Sequence, residues 1–409
     1  MEKQMNVPRL RFPEFTEKWN KQLLGDISSW ASGGTPPKDN LNYWNGDIPW
    51  ITASSMRGNE YNKSDLNITL EGLKRGSKLA PKGSLLLLVR GSMLFNKIPI
   101  GIATRDVAFN QDVKSIKIDK GNNTRFILHW FYASEHIIKN MVTGTGIGAG
   151  KLDLDDLKKL PLSIPEISEQ TKISTFLSAV EVKISQLIKK QCLLEQYKKG
   201  VMKQIFSHEL RFKDDVGNDY SDWEEMKLEE TCDFFRGSPI SKSDLEDNGK
   251  YQCIHYGELF TIYNEVIRSI NSRTNLENGF FSRTGDILMP SSDVTPDGLA
   301  KASSIQLDGV ILGGDMNILR PNSNLNSIYL SYLLNFNKLK IMQIVSGTTI
   351  KHIYNKDVKT LDFLFSKSLP EQTKIANFLS SIDSKIAQTA LQIEKMQLWK
   401  KGLLQQMFV

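Results

Sequence analysis

The chain of 409 residues has only three cysteines, Cys192, Cys232 and Cys253, and no two of them are close. That spacing excludes a disulfide framework and a thiolate metal cluster, and it fits a reducing cytoplasm. Five histidines (His129, His136, His208, His255 and His352) form no ligand-spaced cluster, which argues against a zinc site. Long apolar runs are also missing. The longest, Leu85–Val89, reads as a buried strand and is far too short to span a bilayer. The N-terminal MEKQMNVPRL has no apolar core and does not read as a signal peptide.

Catalytic motifs are equally scarce. There is no Gly-x-Ser-x-Gly, and no Asn/Asp-Pro-Pro-Tyr/Phe of the kind an adenine methyltransferase needs. Gly144–Lys151 imitates a phosphate loop, but Thr145 stands where a glycine is required and Leu152 follows the lysine in place of Ser or Thr. It reads better as a flexible backbone loop that approaches a polyanion. Its later counterpart, Ser346–Lys351, has lost most of the glycines. Glu181-Val182-Lys183 resembles the end of a nuclease motif but lies within a helical pattern, and it reads as a solvated helix face. Asp153, Asp155 and Asp156 are spaced for a helix start, not for a calcium loop. The net charge of +6, from 52 basic and 46 acidic residues, is compatible with a nucleic-acid partner.

What the chain does contain is a repeat. Glu169–Phe206 matches Glu371–Phe408 without a gap, with 16 of 38 aligned positions identical. Both copies open Glu-Gln-Thr-Lys-Ile, continue with Phe-Leu-Ser, and carry a late Lys-Lys-Gly. In the first copy Ile173, Leu177, Val180, Ile184, Leu187, Leu194, Val201 and Ile205 step by alternating fours and threes, with Gln191 and Lys198 filling the gaps. The second copy keeps the register through Ile375, Leu379, Ile382, Ile386, Thr389, Ile393, Met396, Lys400, Leu403 and Met407. This is a coiled-coil seam, broken at the same place by Lys198 and Lys400. Each helix starts just after a proline (Pro165, Pro370) with Glu in its first turn. About 40 residues of helix reach roughly 60 Å, so the two read as a packed pair acting as a rigid spacer.

The repeat extends beyond the helices. Leu10-Arg11-Phe12, Trp19 and Leu24 return as Leu210-Arg211-Phe212, Trp223 and Leu228. Ser32-Gly33-Gly34-Thr35-Pro36 is echoed by Arg236-Gly237-Ser238-Pro239, and Val142-Thr143-Gly144-Thr145 by Val345-Ser346-Gly347-Thr348. The fold class is therefore α+β, two repeated α/β units alternating with two long helices. The boundaries fall at 1–165, 166–209, 210–367 and 368–409. The first unit is expected to hold strands at Ile48–Ala53, Leu85–Val89, Gly101–Thr104 and Val113–Ile118, and one helix over Thr124–Val142. The second is expected to hold strands near Ile254, Ile287–Met289, Ser303–Leu307, Val310–Leu312 and Met316–Leu319, and one helix over Leu325–Val345.

With no catalytic set in the sequence, the candidate functional residues are polar, basic and aromatic side chains on loops. In the first unit they are Lys38, Trp44, Arg57, Arg90, Ser92, Asn96, Lys97, Arg105, Thr145 and Lys151, with Tyr43 and Lys63 nearby. In the second they are Arg236, Ser238, Lys242, His255, Tyr256, Ser291, Ser292, Lys301, Thr348, Lys351 and His352, with Asp293 among them. Such side chains reach phosphates and base edges.

These features together resemble the specificity subunit of type I restriction–modification systems. The carriers are the duplicated Glu-Gln-Thr-Lys-Ile…Phe-Leu-Ser helix, the Leu-Arg-Phe…Trp lead into each half, Gly33-Gly34-Thr35-Pro36, Gly46-Asp47-Ile48-Pro49-Trp50-Ile51, and Arg90-Gly91-Ser92. The resemblance implies two target-recognition domains, each reading half of a split, asymmetric double-stranded DNA sequence. It implies that the helices pair antiparallel as a pseudo-twofold coiled coil and set the gap. Two modification subunits, binding S-adenosylmethionine and methylating adenine N6, would dock through the helices, and two ATP- and Mg-dependent motor-nuclease subunits would join for restriction. This chain would itself carry no catalytic, cofactor or metal site and no membrane segment. The second unit lacks Gly-Asp-Ile-Pro-Trp-Ile, which leaves its DNA contacts less defined. A coiled-coil scaffold carrying protein-binding modules is the alternative.

Overall fold

The computed structural model describes residues 7–146 and 148–409; Met1–Asn6, the start of the segment read as lacking a signal peptide, and Ile147 of the glycine-rich loop lie outside them. The chain divides into two compact units. One contains the chain up to Ile188 together with Leu391–Val409, and the other contains Lys189–Ala390. Both dividing points fall inside the long helices, Ile167–Phe206 and Leu369–Met407. The reason lies in the cores. Ile173, Leu177, Val180, Leu403, Leu404 and Met407 belong to the apolar core of the first unit, whereas Val201, Met202, Ile205, Ile375, Leu379 and Ile382 belong to that of the second. The seam residues are thus buried against a globular unit as well as against the other helix.

Leu85–Leu88, whose four residues are all 0% exposed, is the middle strand of a five-stranded sheet. A strand covered on both faces reads as a continuous apolar run, which is why it stands out in the sequence. The sheet runs Ser28–Ser32, Val113–Ile118, Leu85–Leu88, Ile100–Ala103, Glu60–Tyr61, antiparallel except for the last pair. A four-stranded sheet follows the order Asn67–Ile68, Trp44–Ile51, Val107–Phe109, Lys78–Ala80. The second unit repeats this plan. Its five strands are Cys232–Arg236, Met316–Pro321, Ile287–Pro290, Ser303–Ile305 and Val266–Ile267, again with only the last pair parallel. Its four are Arg273–Thr274, Tyr251–Ile254, Ile311–Leu312 and Phe280–Phe281.

Each long amphipathic helix expected between sheet and spacer is two helices. Thr124–Ala133 stops at Ser134 and Glu135–Asn140 follows; Ser327–Phe336 stops at Asn337 and Lys338–Met342 follows. Ser134 and Asn337 leave helical geometry with ψ of 6° and 23°. Asn337 also donates its side-chain amide to the Leu333 carbonyl, the kind of local competition with the helix that such residues offer. Apolar periodicity runs through both breaks, so it could not reveal them.

The five identical residues that open each long helix act as one fastening. Arg11 donates Nε and Nη2 to the two carboxylate oxygens of Glu169 at 2.8 and 2.7 Å, and Glu169 is 1% exposed. In the second unit Arg211 donates to Glu371 at 3.3 Å, joined by Trp223 Nε1 at 3.0 Å and Ser366 Oγ at 2.6 Å, and Glu371 is fully buried. Gln170 accepts from the backbone N–H of Asn123 at 2.8 Å, and Gln372 from that of Asn326 at 2.7 Å. Those asparagines cap an earlier helix of their own unit, Thr124–Ala133 or Ser327–Phe336, and reach Thr171 and Thr373. Lys172 pairs with Glu14, and Lys374 with Asp215 at 2.7 Å. Ile173 and Ile375 enter the cores. Phe12 and Phe212 meet Phe176 and Phe378 edge-on at 5.8 and 5.6 Å.

Removing one partner of a buried charge pair strands the other charge at low dielectric, typically at a cost of about 3–5 kcal/mol. Arg211→Ala should therefore destabilise the second unit on that scale in denaturant unfolding, with hydrogen exchange assigning the loss to residues 210–228 and 361–376. Lys172→Ala, at an exposed pair, should cost under about 1 kcal/mol.

Candidate nucleic-acid interface

In the first unit, Arg90–Gly91 pairs with Gly150–Lys151, which pairs with Thr143–Gly144. This small ladder places Arg90 directly opposite Lys151, both exposed. The short turn Ser92–Phe95 packs on it, since a Cβ at Gly150 would meet Leu94 at 3.0 Å, and Ser92, Asn96 and Lys97 are exposed on that turn and just after it. Thr145 is committed to the loop itself. Its N–H and Oγ1 both bond to the Ala149 carbonyl. The second unit builds a two-stranded counterpart from Ser292–Asp293 and Lys351–His352, with Ser292 opposite His352, Asp293 opposite Lys351, and a single Ser346–His352 bridge in place of the third strand. Lys351 Nζ donates to the Gly347 carbonyl at 2.6 Å, Thr348 is exposed in the loop, and His352 stacks on Tyr354 at 5.9 Å. The failed phosphate loop and its degenerate counterpart are therefore the same structural element carrying different side chains.

A second cluster begins at the paired glycines. A Cβ on Gly33 would lie 2.1 Å from the Phe109 carbonyl oxygen, and one on Gly237 would lie 1.8 Å from that of Gly313. Each loop crosses a neighbouring strand so closely that only glycine fits. Past the crossing, Lys38 is exposed and Trp44 half-buried, its Nε1 donating to the Pro37 carbonyl at 3.0 Å. Exposed Arg105 reaches the Asp47 carbonyl at 3.3 Å. Trp50, 4% exposed, donates to the Gly34 carbonyl, so the Gly-Asp-Ile-Pro-Trp-Ile element braces the glycine loop from inside. In the second unit, Arg236, Ser241, Asp244, Tyr256 and Asp315 line a cleft of about 520 Å³ beside Ser238 and Lys242. His255 is half-buried and accepts from the Gly257 N–H through Nδ1.

Three candidates fall outside these clusters. Ser291 is 3% exposed, its backbone tied to Asp315 and Ile353, so its side chain is not at the surface. Lys301 is half-buried; burial lowers its pKa while Glu265 opposes the shift. Arg57 is exposed on a separate loop after Ala53–Ser55.

Of the seam residues, Ile173, Leu177, Val180, Leu187, Ile375, Leu379, Ile382 and Ile393 are buried, and Ile184 and Ile386 are half-buried. The reading of Glu181 as a solvated face is overturned. Its side chain is 9% exposed and accepts from Lys400 Nζ at 2.6 Å and from Asn59 Nδ2 at 2.9 Å, with His129 Nε2 at the ion-pair distance of 3.6 Å. Lys400 also lies 4.9 Å from the Tyr132 ring centre. The second unit holds the repeat-related set. Lys198 Nζ lies 2.7 Å from both Asp383 and Glu265, Tyr332 donates to Asp383 at 2.5 Å, and Lys198 sits over the Tyr332 ring at 5.2 Å. The sequence did carry a signal for both sets. Each seam lysine, and its acidic partner on the opposite helix, has a counterpart 202 residues away.

Each unit also has a groove at repeat-related positions. In the first, Tyr132, His136 and Lys139 face Lys401, Leu404 and Gln405 across about 550 Å³. In the second, Phe336, Lys338 and Leu339 face Lys199, Met202 and Lys203 across about 800 Å³. No group of acidic, histidine or cysteine side chains that could hold a metal occurs among the described residues. No helix among them is long and apolar enough to cross a membrane.

Comparison with known proteins agrees with this geometry. The family model described as Type I restriction modification DNA specificity domain matches twice, over residues 16–195 and 220–396. The chain therefore belongs to the family of type I restriction–modification specificity subunits, with two copies of its DNA specificity domain. The Type I restriction enzyme EcoR124I/EcoR124II specificity subunit of Escherichia coli is 31% identical over 176 residues, covering 42% of this chain and 43% of that one. The MjaIX specificity subunit of Methanocaldococcus jannaschii is 24% identical over 412 residues, covering 94% and 91%. Among solved structures, the S subunit of a type I restriction–modification system from M. genitalium shares the fold with a TM-score of 0.63 at 16% identity, over 98% of this chain and 99% of that one.

The two charge clusters should respond oppositely to acid. Burial alone would raise the Glu181 pKa, but His129 and Lys400 overcome it and hold the carboxylate at about 2, below its ordinary 4.5. A depressed carboxylate stabilises the fold above 4.5 and loses that contribution as pH falls towards 2. Burial raises the Asp383 pKa despite Lys198, so its contribution does not fall on acidification. Hydrogen exchange between pH 5 and pH 3 should show Val180–Ile184 loosening before Ile382–Ile386, and Glu181→Gln should abolish the difference.

Proposed function

We propose that this chain is the non-catalytic, sequence-reading subunit of a type I restriction–modification complex, each unit reading one half of a bipartite, asymmetric DNA target. One observation carries the reading. The two units present corresponding ladders and the same glycine-crossed loop, yet Arg90 and Lys151 in one are replaced by Ser292 and His352 in the other. A shared frame with unlike side chains is what two modules need to dock alike on a duplex and read different base pairs. The exposed cations among the candidates supply phosphate contacts, so binding falls steeply with salt.

The long helices join the two readers, and a joined pair binds one duplex tightly only when the half-sites are correctly spaced. The two repeat-related grooves support docking of two modification subunits, one at each. Those subunits bind S-adenosylmethionine and methylate adenine N6 after the base leaves the stack. Two restriction subunits, using ATP and Mg, complete the complex in the cytoplasm.

The test is to express the chain with its modification partner in a methylation-free host and map modified adenines. The expected result is a split motif with a fixed gap that depends on this chain. No new modified adenines from an assembled complex would favour the protein-binding scaffold. Exchanging residues 210–367 for the matching unit of a relative should change one half-site and spare the other; a change in both would refute the division of labour. Arg90→Ala should lower the slope of log affinity against log salt by about one without moving the other half-site.

A further inference from the structure

We infer that the Glu181–Lys400 and Lys198–Asp383 pairs are register locks, which fix the axial alignment of the two long helices and thereby the gap between DNA half-sites. The inference rests on the reading of the helices as the spacer.

A seam of apolar heptads is permissive along its axis. Sliding one helix by seven residues restores Ile, Leu and Val to equivalent positions, so apolar burial alone discriminates weakly between registers. A charge in the seam behaves differently, because its partner on the opposite helix is within reach at one alignment only. Each unit has one such pair, and each pair crosses from one long helix to the other. Lys400 meets Glu181 at 2.6 Å in the first unit, and Lys198 meets Asp383 at 2.7 Å in the second. The side chains of Glu181, Lys198, Lys400 and Asp383 are 9%, 14%, 24% and 30% exposed.

Stability does not explain this placement. Desolvating two charges offsets most of their attraction, and apolar side chains of similar volume are often as stable or more so. Specifying an alignment is the better-attested use of a buried polar contact. The globular units share the lock. Asn59 and His129 reach Glu181, and Tyr332 and Glu265 reach the Asp383–Lys198 pair. Each reader is thus indexed to the same level of the helices that carries the charge. A slip of one heptad moves a helix by roughly 10 Å, close to the length of three base pairs.

The test has two independent readouts on the full chain assembled with its modification partner, with Cys192 replaced by serine. The register-free variant carries Glu181→Met, Lys400→Met, Lys198→Met and Asp383→Leu; Glu181→Gln and Lys400→Gln with Lys198→Gln and Asp383→Asn is the milder version. The first readout needs no DNA. Cysteines at 187 and 393 are in the register that the Glu181–Lys400 pair sets, and cysteines at 180 and 393 are one heptad out of it. With the pairs intact only the 187/393 disulfide should form on oxidation; in either pair-less variant the 180/393 disulfide should appear. The second readout is methylation of duplexes whose gap is changed by up to three base pairs. Methylation at altered gaps, relative to the native gap, should rise at least tenfold in the pair-less variants and remain at the starting level in Lys400→Arg.

A folded pair-less variant that cross-links only at 187/393 and retains full gap selectivity overturns the inference. If the unmodified complex recognises no split target, the functional reading fails, and the cross-linking pattern still decides whether the pairs fix the register. If the Met/Leu variant does not fold, the amide variant decides both readouts.

Discussion

A buried carboxylate at the head of each long helix is the constraint on which the rest of the structure depends. Glu169 and Glu371 are removed from water and paired with Arg11 and Arg211, which lead into the same unit. A charge in that position must be compensated locally, because the penalty for leaving it unpaired is a large fraction of the net stability of a domain. The arginine therefore cannot drift, and neither can the segment that carries it. Gln170 and Gln372 extend the fastening to the start of the earlier helices Thr124–Ala133 and Ser327–Phe336. Helix, lead-in segment and sheet cover are held at one junction, and this accounts for the identity of the same five residues in both copies.

Away from the junction the two units are free to differ. Their five- and four-stranded sheets agree strand for strand, while the small ladder has three strands in one unit and two in the other, and the side chains on ladder and loop differ. The glycine crossings at Gly33 and Gly237 belong to the frame, since the strand beneath leaves no room for a Cβ. Trp50 also belongs to it, because its indole is turned inward to hold the Gly34 carbonyl. Within the Gly-Asp-Ile-Pro-Trp-Ile motif the tryptophan is thus internal bracing, while Asp47 stays exposed. That explains how the second unit can lack the motif while building the same loop by other means.

The polar contacts along the seam show how local patterning can mislead. A glutamate between valines on a heptad helix reads as solvent-facing, because periodicity assigns faces relative to one partner helix only. Glu181 is covered by a third element, the helix bearing His129 and Tyr132, and the covering is visible only when the globular unit is folded against the spacer. Lys198 and Lys400, which interrupt the seam in sequence, fill it in space by reaching an acid on the opposite helix.

The sequence by itself determined the duplication, the α+β class, the two long helices and their seam, and the central strands Leu85–Leu88 and Ile287–Pro290. These depend on periodicity, run length and identity between copies, which are properties of the chain read along its length. Only the tertiary structure decided the breaks at Ser134 and Asn337, the edge strands Ser28–Ser32 and Cys232–Arg236, the burial of Ser291, and the partners of Glu181. Each of these depends on what lies across from a residue rather than beside it. Burial and charge pairing are set by neighbours distant in sequence, and a single chain read in order has no access to them until the sheets and helices bring them together.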